Sequence, residues 1–504
     1  MLLTLVGLLA AGAVPPSSSA EASTAAAIAR VQKIDPKIHA VLAIDPTAME
    51  QARKLDAQQG PKGPLFGLPV LIKDNIETDG PLPTTAGSLA LAHNVTHRDA
   101  PLVARLRSSG AVILGKTNLS EWANIRASNS ISGWSGVGGL THNPYALDRS
   151  ACGSSSGSGA AVAAGEVSAA IGTETDGSIT CPSSLNGIVG LKPTVGLVSR
   201  HGVIPISHSQ DTPGPMAKDV RTAALLLSAI AGSDPADPAT ADADAHKVDY
   251  TAALRPDALR GVRIGVMRFA AGFSKPTDVV FEKALAVLRA QGAILVEIDS
   301  FKDRDKIGPA EGLVLNTELR TDLNAYLAST PATVRTRTLA DVIAFDRTDP
   351  REMALFGQDT FEQAEATKGL DDPAYKAARA LSLQIARGGI DAMLADNHVV
   401  ALVAPTMPPA WKNDAVNGDQ GGGSGPADLA AVAGYPHLTV PMGDVKGMPV
   451  GLSFVGPAWS EATLLALGYS YEQAAAIHQQ PTFPASIEGT PPVAALLTPA
   501  GTAR

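Results

Sequence analysis

The sequence is poor in cysteine and aromatic residues, has no excess of basic charge, and beyond its first residues contains no long apolar run. Two cysteines in 504 residues, Cys152 and Cys181, exclude a disulfide framework and offer no zinc-ligand spacing. They read as two small buried side chains, with pairing as the alternative in an oxidising compartment. A net charge of −9, with no basic or aromatic-interleaved patch, excludes nucleic acid as a partner. Aromatic residues make up only 4%, so the packing falls to Ala, Gly and aliphatic side chains, which suits helices laid closely on a sheet with many tight loops. No later segment approaches the roughly 20 apolar residues of a membrane-spanning helix, so no stable membrane insertion is expected.

What is present is a 45% hydrophobic chain, long enough to bury a large core; length alone suggests two to four domains. Met1 to Val14 is an apolar stretch followed by Pro15-Pro16 and a Ser/Ala-rich run. It matches the apolar region of a signal peptide, with Ser18-Ser-Ala20 as a cleavage site, although no Lys or Arg precedes it. Residues 1–25 are therefore expected to be a signal peptide and linker. They imply export to a periplasm or the medium, with a cytoplasmic protein carrying an apolar N-terminal helix as the alternative.

Short apolar strands alternate with helical segments, the pattern of an α/β protein. Helical spacing covers residues 26–60, 103–109 and 281–291. Strands are predicted at 65–72, 111–114, 167–171, 262–266, 293–297, 401–404, 438–440 and 450–455. The acidic, Pro-containing stretch 233–245 and the Gly-rich stretch 418–425 read as loops. Residues 26–485 are expected to form the catalytic unit, and 486–504, rich in Pro, Ala and Thr, a poorly ordered tail.

The chemistry concentrates between the two cysteines. Cys152-Gly-Ser-Ser-Ser-Gly-Ser-Gly159 opens a small-residue helix, and Ile171-Gly-Thr-Glu-Thr-Asp-Gly-Ser-Ile-Thr-Cys181 follows a strand. Glycines let backbone N–H groups converge on one point, and serines supply hydroxyls there, which suits a serine nucleophile beside an oxyanion hole. Gly153-Ser-Ser-Ser-Gly157 also satisfies the nucleophile-elbow pattern with Ser155 at its centre. That motif requires a strand immediately before it, and the polar segment Asn143 to Cys152 reads as a turn instead. The second turn has the better context, with Ser178 as candidate nucleophile. No histidine sits in a recognisable base motif. Lys73, at the end of an apolar run, is the alternative base; holding it neutral at pH 7 costs about 4.6 kcal/mol, within reach of burial.

Ordered blocks along the chain resemble the amidase-signature family. They are Gly67-Leu-Pro-Val-Leu-Ile-Lys-Asp-Asn75, Gly115-Lys-Thr-Asn118, Cys152 to Gly165, Ile171 to Pro182, Gly190 to Arg200, Asp211-Thr-Pro-Gly-Pro215 and Gly434 to Pro441. The resemblance implies an amidase-signature fold: a large mixed, twisted sheet of about eleven strands covered by helices on both faces. It also implies a Ser–cis-Ser–Lys triad whose two serines are 24 residues apart, a spacing that selects Ser154 and Ser178. Ser178 would then be the nucleophile, Ser154 the proton relay, following a non-proline cis peptide, and Lys73 the base. Thr175, Asp176, Gly177 and Ser178 would line the oxyanion hole and bind substrate, and Ser155 would support the lysine by hydrogen bonding. No metal or other cofactor is implied, and the assembly expected is a monomer or homodimer.

Three departures from the common signature, Glu174, Asp176 and Thr180, are themselves similar to one branch of the family, the bacterial peptide amidases. That branch is also resembled in Leu119 to Asn124, Ser130 to Trp134 and Leu355 to Gln358. The implied reaction is release of ammonia from the C-terminal amide of peptides. The alternatives are hydrolysis of small aryl or aliphatic amides and service as an amidotransferase subunit on charged tRNA. Threonine rather than arginine at 180 removes the cation that last role would use for a substrate carboxylate. Asp176, so close to the oxyanion hole, is expected to need its carboxylate turned away.

Overall fold

A computed structural model of the chain describes residues 19–497 except 424 and 478; the apolar stretch 1–18 and residues 498–504 lie outside the described residues. Its centre is a sheet of eleven strands. In chain order these are β1 (Val41–Ile44), β2 (Pro69–Lys73), β3 (Val112–Thr117), β4 (Ala169–Glu174), β5 (Val189–Lys192) and β6 (Thr212–Ala217). They continue with β7 (Arg263–Met267), β8 (Ile294–Ile298), β9 (Ala401–Pro405), β10 (His437–Val445) and β11 (Met448–Val455). The spatial order is β1-β3-β2-β4-β6-β5-β10-β11-β9-β7-β8. Strand β2 runs parallel to β3 and β4, and β9-β7-β8 are parallel, while the middle of the sheet is antiparallel.

Because successive side chains of a strand point to opposite faces, each central strand feeds two cores. Val70 and Ile72 of β2 join Ile171, Leu191 and Leu452 on one face, under helices Val220–Ile230, Lys275–Ala290 and Glu461–Ala475. Leu71 joins Leu114, Ala170 and Met216 on the other, against helices Ala20–Ile34 and Ser156–Ala163. Lys73 has the parity of Leu71. It therefore emerges on the face of the helix that follows Ser155.

Several local readings change in the structure. Residues 26–60 hold two helices, Ala20–Ile34 and Ala48–Ala57, separated by β1; four apolar residues between helical patterns are too short to show a period of their own. The first helix begins inside the segment expected as leader and linker, with Ala20 buried and its N–H bonded to Asp56 Oδ1 at 2.8 Å. At the other end, Ile487–Gly489 and Pro491–Leu497 are helical, and Glu488 pairs with Arg149 at 2.6 Å, where a poorly ordered tail was expected. Strand β6, Thr-Pro-Gly-Pro-Met-Ala, was not legible as a strand. Its prolines lack N–H groups, and its pairing to β5 is confined to Met216 and Ala217. A short strand, Ala146–Ser150, does precede the first serine turn, contrary to the sequence reading, but it pairs with His142–Asn143 and bridges to Lys412, outside the main sheet.

Candidate active site

Lys73 is the last residue of β2 and is wholly buried. Its Nζ lies 2.7 Å from Ser154 Oγ, 2.8 Å from Thr173 Oγ1 and 3.2 Å from the Thr173 carbonyl. Burial pushes the amine down to about 7, while the charges of Asp211 and Glu174 act in the opposite direction. Two other lysines are equally buried. Lys116 pairs with Asp74 at 3.3 Å and donates to the Ile76 carbonyl, and Lys192 donates to the Pro193 carbonyl. Of these three, only Lys73 reaches a serine hydroxyl.

The Gly153–Ser154 peptide is cis, and the Ser154 carbonyl accepts the Ser120 N–H at 3.0 Å. The Ser155 N–H donates to the Ser178 carbonyl at 3.1 Å, so the two serine turns are joined through backbone. The disulfide between Cys152 and Cys181, with Cα atoms 6.0 Å apart, joins them a second time. The two cysteines are thus paired, the reading the sequence ranked second. The Cys152→Ala/Cys181→Ala double variant is expected to lose about 3–4 kcal/mol of stability, the loop-closure effect of a 29-residue separation. An unchanged urea midpoint would show that the cross-link adds nothing.

Ser155 does not support Lys73 directly. Its hydroxyl donates to the Thr173 carbonyl at 3.1 Å and accepts the Thr173 N–H at 3.2 Å, and Thr173 in turn accepts from the lysine. This contact requires Gly172, where a Cβ would lie 2.7 Å from Ser155 Oγ. Thr173 was missed in the sequence, where nothing local separates it from any other strand threonine.

The turn after β4 carries Ser178, which is 9% exposed and whose Oγ has no hydrogen-bond partner among the described residues. Gly177 holds φ at +76°, the left-handed region that glycine adopts without a Cβ penalty. The N–H groups of Asp176, Gly177 and Ser178 have no acceptor among the described residues, whereas those of Ile179 and Thr180 both donate to Glu174 Oε2, at 2.8 and 2.9 Å. Glu174 thus caps the start of helix Thr180–Leu185, and Thr180, where a cation was looked for, donates its hydroxyl to the same oxygen. What is left is a nest of three free amides around an unbonded serine hydroxyl. Thr175, whose N–H likewise has no acceptor among the described residues, is anchored by its other polar groups: its hydroxyl donates to Asp211 Oδ1 at 2.6 Å and its carbonyl accepts from Gln210.

Asp176 opens onto solvent at the mouth of the site and is ringed elsewhere by protein. This desolvation, with the neighbouring charges of Glu311, Asp428 and Glu174, pushes its carboxyl well up; Arg304 opposes.

The amidase family model matches residues 22–465. The chain belongs to the amidase-signature family. It is an amidase, a hydrolase of carbon–nitrogen bonds in amides. The X-ray structure of native peptide amidase from Stenotrophomonas maltophilia superposes with a TM-score of 0.86 at 47% identity, covering 92% of this chain and 96% of that one. A probable amidase of Arabidopsis thaliana is 38% identical over 90% of this chain and 86% of its own length. A glutamyl-tRNA(Gln) amidotransferase subunit from Roseiflexus castenholzii is also 38% identical, over 89% and 91%. Among the described residues no helix is long and apolar enough to cross a membrane.

Proposed function

We propose that this amidase releases ammonia from the C-terminal amide of peptides through an acyl-enzyme on Ser178. The observation that carries the mechanism is the 2.7 Å contact between buried Lys73 and Ser154, next to a serine whose own hydroxyl is free. Neutral Lys73 accepts the Ser154 proton, Ser154 accepts that of Ser178, and Ser178 Oγ forms a bond to the amide carbon. The amides of Asp176, Gly177 and Ser178 take the developing oxyanion. When the carbon–nitrogen bond breaks, the proton returns along the same path to the departing nitrogen, which leaves as ammonia. Water then attacks the ester, and the carboxylic acid and free Ser178 are regenerated. The Ser154–Ser178 link of this relay is not formed among the described residues; such hydrogen bonds commonly tighten only when substrate arrives.

Near-complete alignment with a peptide amidase at 47% identity supports the peptide substrate class. Ammonia release across a panel of C-terminally amidated dipeptides, simple aryl and aliphatic amides, and free glutamine tests it. The reading requires the amidated peptides to be the best substrates; a preference for simple amides would replace it with small-amide hydrolysis. The amidotransferase relatives support a second reading as an ammonia-producing subunit, which would show as glutamine hydrolysis dependent on a tRNA-binding partner. Export remains part of the proposal, and the disulfide is compatible with an oxidising compartment.

Replacing Ser154 with alanine is expected to cost about 10³-fold in kcat, and replacing Ser155 less than about 30-fold, since Ser155 acts on Lys73 only through Thr173. The reverse order in ammonia-release assays would put the relay on Ser155.

A further inference from the structure

The reaction proposed above needs amides that already point at the oxyanion before it forms, because donors that must reorganise lose most of their advantage. In a trans peptide the N–H points opposite to the preceding carbonyl, so whatever holds the carbonyl aims the amide. The three amides of the nest differ in this respect. The Gly177 carbonyl, on the reverse side of the Ser178 N–H, accepts the Cys181 N–H at 2.8 Å in the first turn of helix Thr180–Leu185. The Asp176 carbonyl, behind the Gly177 N–H, has no donor among the described residues. The Thr175 carbonyl, behind the Asp176 N–H, accepts from a side chain: Gln210 Nε2, at 3.3 Å.

Gln210 is itself held firmly. It is 1% exposed, and the same Nε2 donates to Glu311 Oε1 at 2.7 Å, on helix Ile307–Ala328. The next residue, Asp211, takes the Thr175 hydroxyl on Oδ1 and the N–H groups of Ile206 and Ser207 on Oδ2. Ser207 and Ser209 in turn donate to Glu318 on that same helix. Thr175 is therefore gripped at its hydroxyl and its carbonyl by neighbours from one braced loop. Asp211 fixes where the residue sits. Among the described residues, Gln210 alone acts on the carbonyl whose peptide unit carries the Asp176 N–H.

We propose that Gln210 is a positioning residue for the oxyanion hole. It aims the Asp176 N–H from behind and touches neither substrate nor the reacting atoms. The inference rests on the assignment of Ser178 as nucleophile.

The test is Gln210→Met, which keeps the length and volume of the side chain and removes its donors. The measurements are kcat and KM for ammonia release from an amidated dipeptide, thermal stability, and the affinity of a peptide aldehyde, whose adduct with Ser178 places an oxygen in the nest. The expected result is a fall in kcat of about 10- to 100-fold, short of the roughly 10²–10³-fold seen when an oxyanion donor is itself removed. KM should stay within about threefold, and aldehyde affinity should fall in parallel with kcat/KM. A kcat within twofold of wild type, a loss carried by KM, or an unchanged aldehyde affinity would each overturn the assignment. If Gln210→Met does not fold, Gln210→Leu, which is smaller and likewise has no donor, is read by the same criteria. A wild-type enzyme inactive on every amide would instead refute the functional reading, and aldehyde affinity would still report on the nest.

Discussion

Ser178→Ala is expected to lower ammonia release by about 10⁵-fold or more while leaving the folded protein as stable as before. The size follows from removing the atom that forms the acyl bond; single nucleophile deletions in serine hydrolases act on this scale because the rest of the site then has nothing to activate. The intact stability follows from the site itself. Ser178 Oγ makes no hydrogen bond among the described residues, so its loss strands no partner, and the stability is expected to change by less than about 1 kcal/mol. The backbone roles of Ser178, its carbonyl toward Ser155 and its N–H in the nest, survive the substitution. The variant should also fail to form a covalent adduct with a serine-directed fluorophosphonate. Wild-type-like ammonia release by Ser178→Ala would remove the nucleophile assignment altogether.

The second large effect is expected at Lys73. Both Lys73→Met and Lys73→Arg should reduce kcat/KM by about 10³-fold or more. The arginine variant is the discriminating one, since it keeps a long cationic side chain but cannot be deprotonated in the accessible pH range. If the lysine served only as a positive charge, arginine would retain much of the activity. As a base, Lys73 must be neutral to accept a proton. With its amine pushed down to about 7 by burial, the active form predominates above that pH and disappears below it. Wild-type kcat/KM should therefore rise with pH through about 7 and level off above it, and the residual activity of Lys73→Met should lack that limb. Asp211, pushed up to about 6 by burial, is present in both proteins and so cannot account for a limb lost with Lys73. A limb that persists in Lys73→Met would assign it to another group and remove Lys73 as the base.

The linkage has a consequence for stability as well. An amine whose folded pKa lies below its unfolded value binds fewer protons when folded between about pH 7 and the ordinary lysine range. In that window the contribution of Lys73 to stability improves as pH rises. Below about 7 the protein bears the full cost of keeping a protonated amine out of water.

Much of this protein was legible in its sequence. Apolar strands alternating with helical periods identified the α/β class, and the ordered glycine–serine blocks identified the family and the three candidate residues. The interval that the family resemblance implies chose Ser154 over Ser155, and in the structure Lys73 Nζ contacts Ser154 Oγ. These features are local: a period, a turn composition or a residue interval is written in consecutive positions. The readings that failed were of another kind. The strand β6 was given no element in the sequence, because its prolines hide the period of a strand, and only the pairing with β4 makes it one. The cysteines looked unpaired because a separation of 29 residues says nothing about a 6.0 Å approach.

The division at the site has the same cause. The serines and the lysine proposed for acyl transfer, the glycines beside them and the net negative charge were all determined by the sequence. What only the tertiary structure decided is their electrostatic condition. Lys73 is near neutrality because β3, β4 and the helix after Ser155 exclude water from an amine 81 residues from its serine. Thr173 carries the influence of Ser155 because Gly172 lets the two turns close on each other. The amides of the nest are free because Glu174 takes the two that follow and leaves three. Desolvation and hydrogen-bond direction depend on every neighbour in three dimensions, and no interval along the chain encodes them.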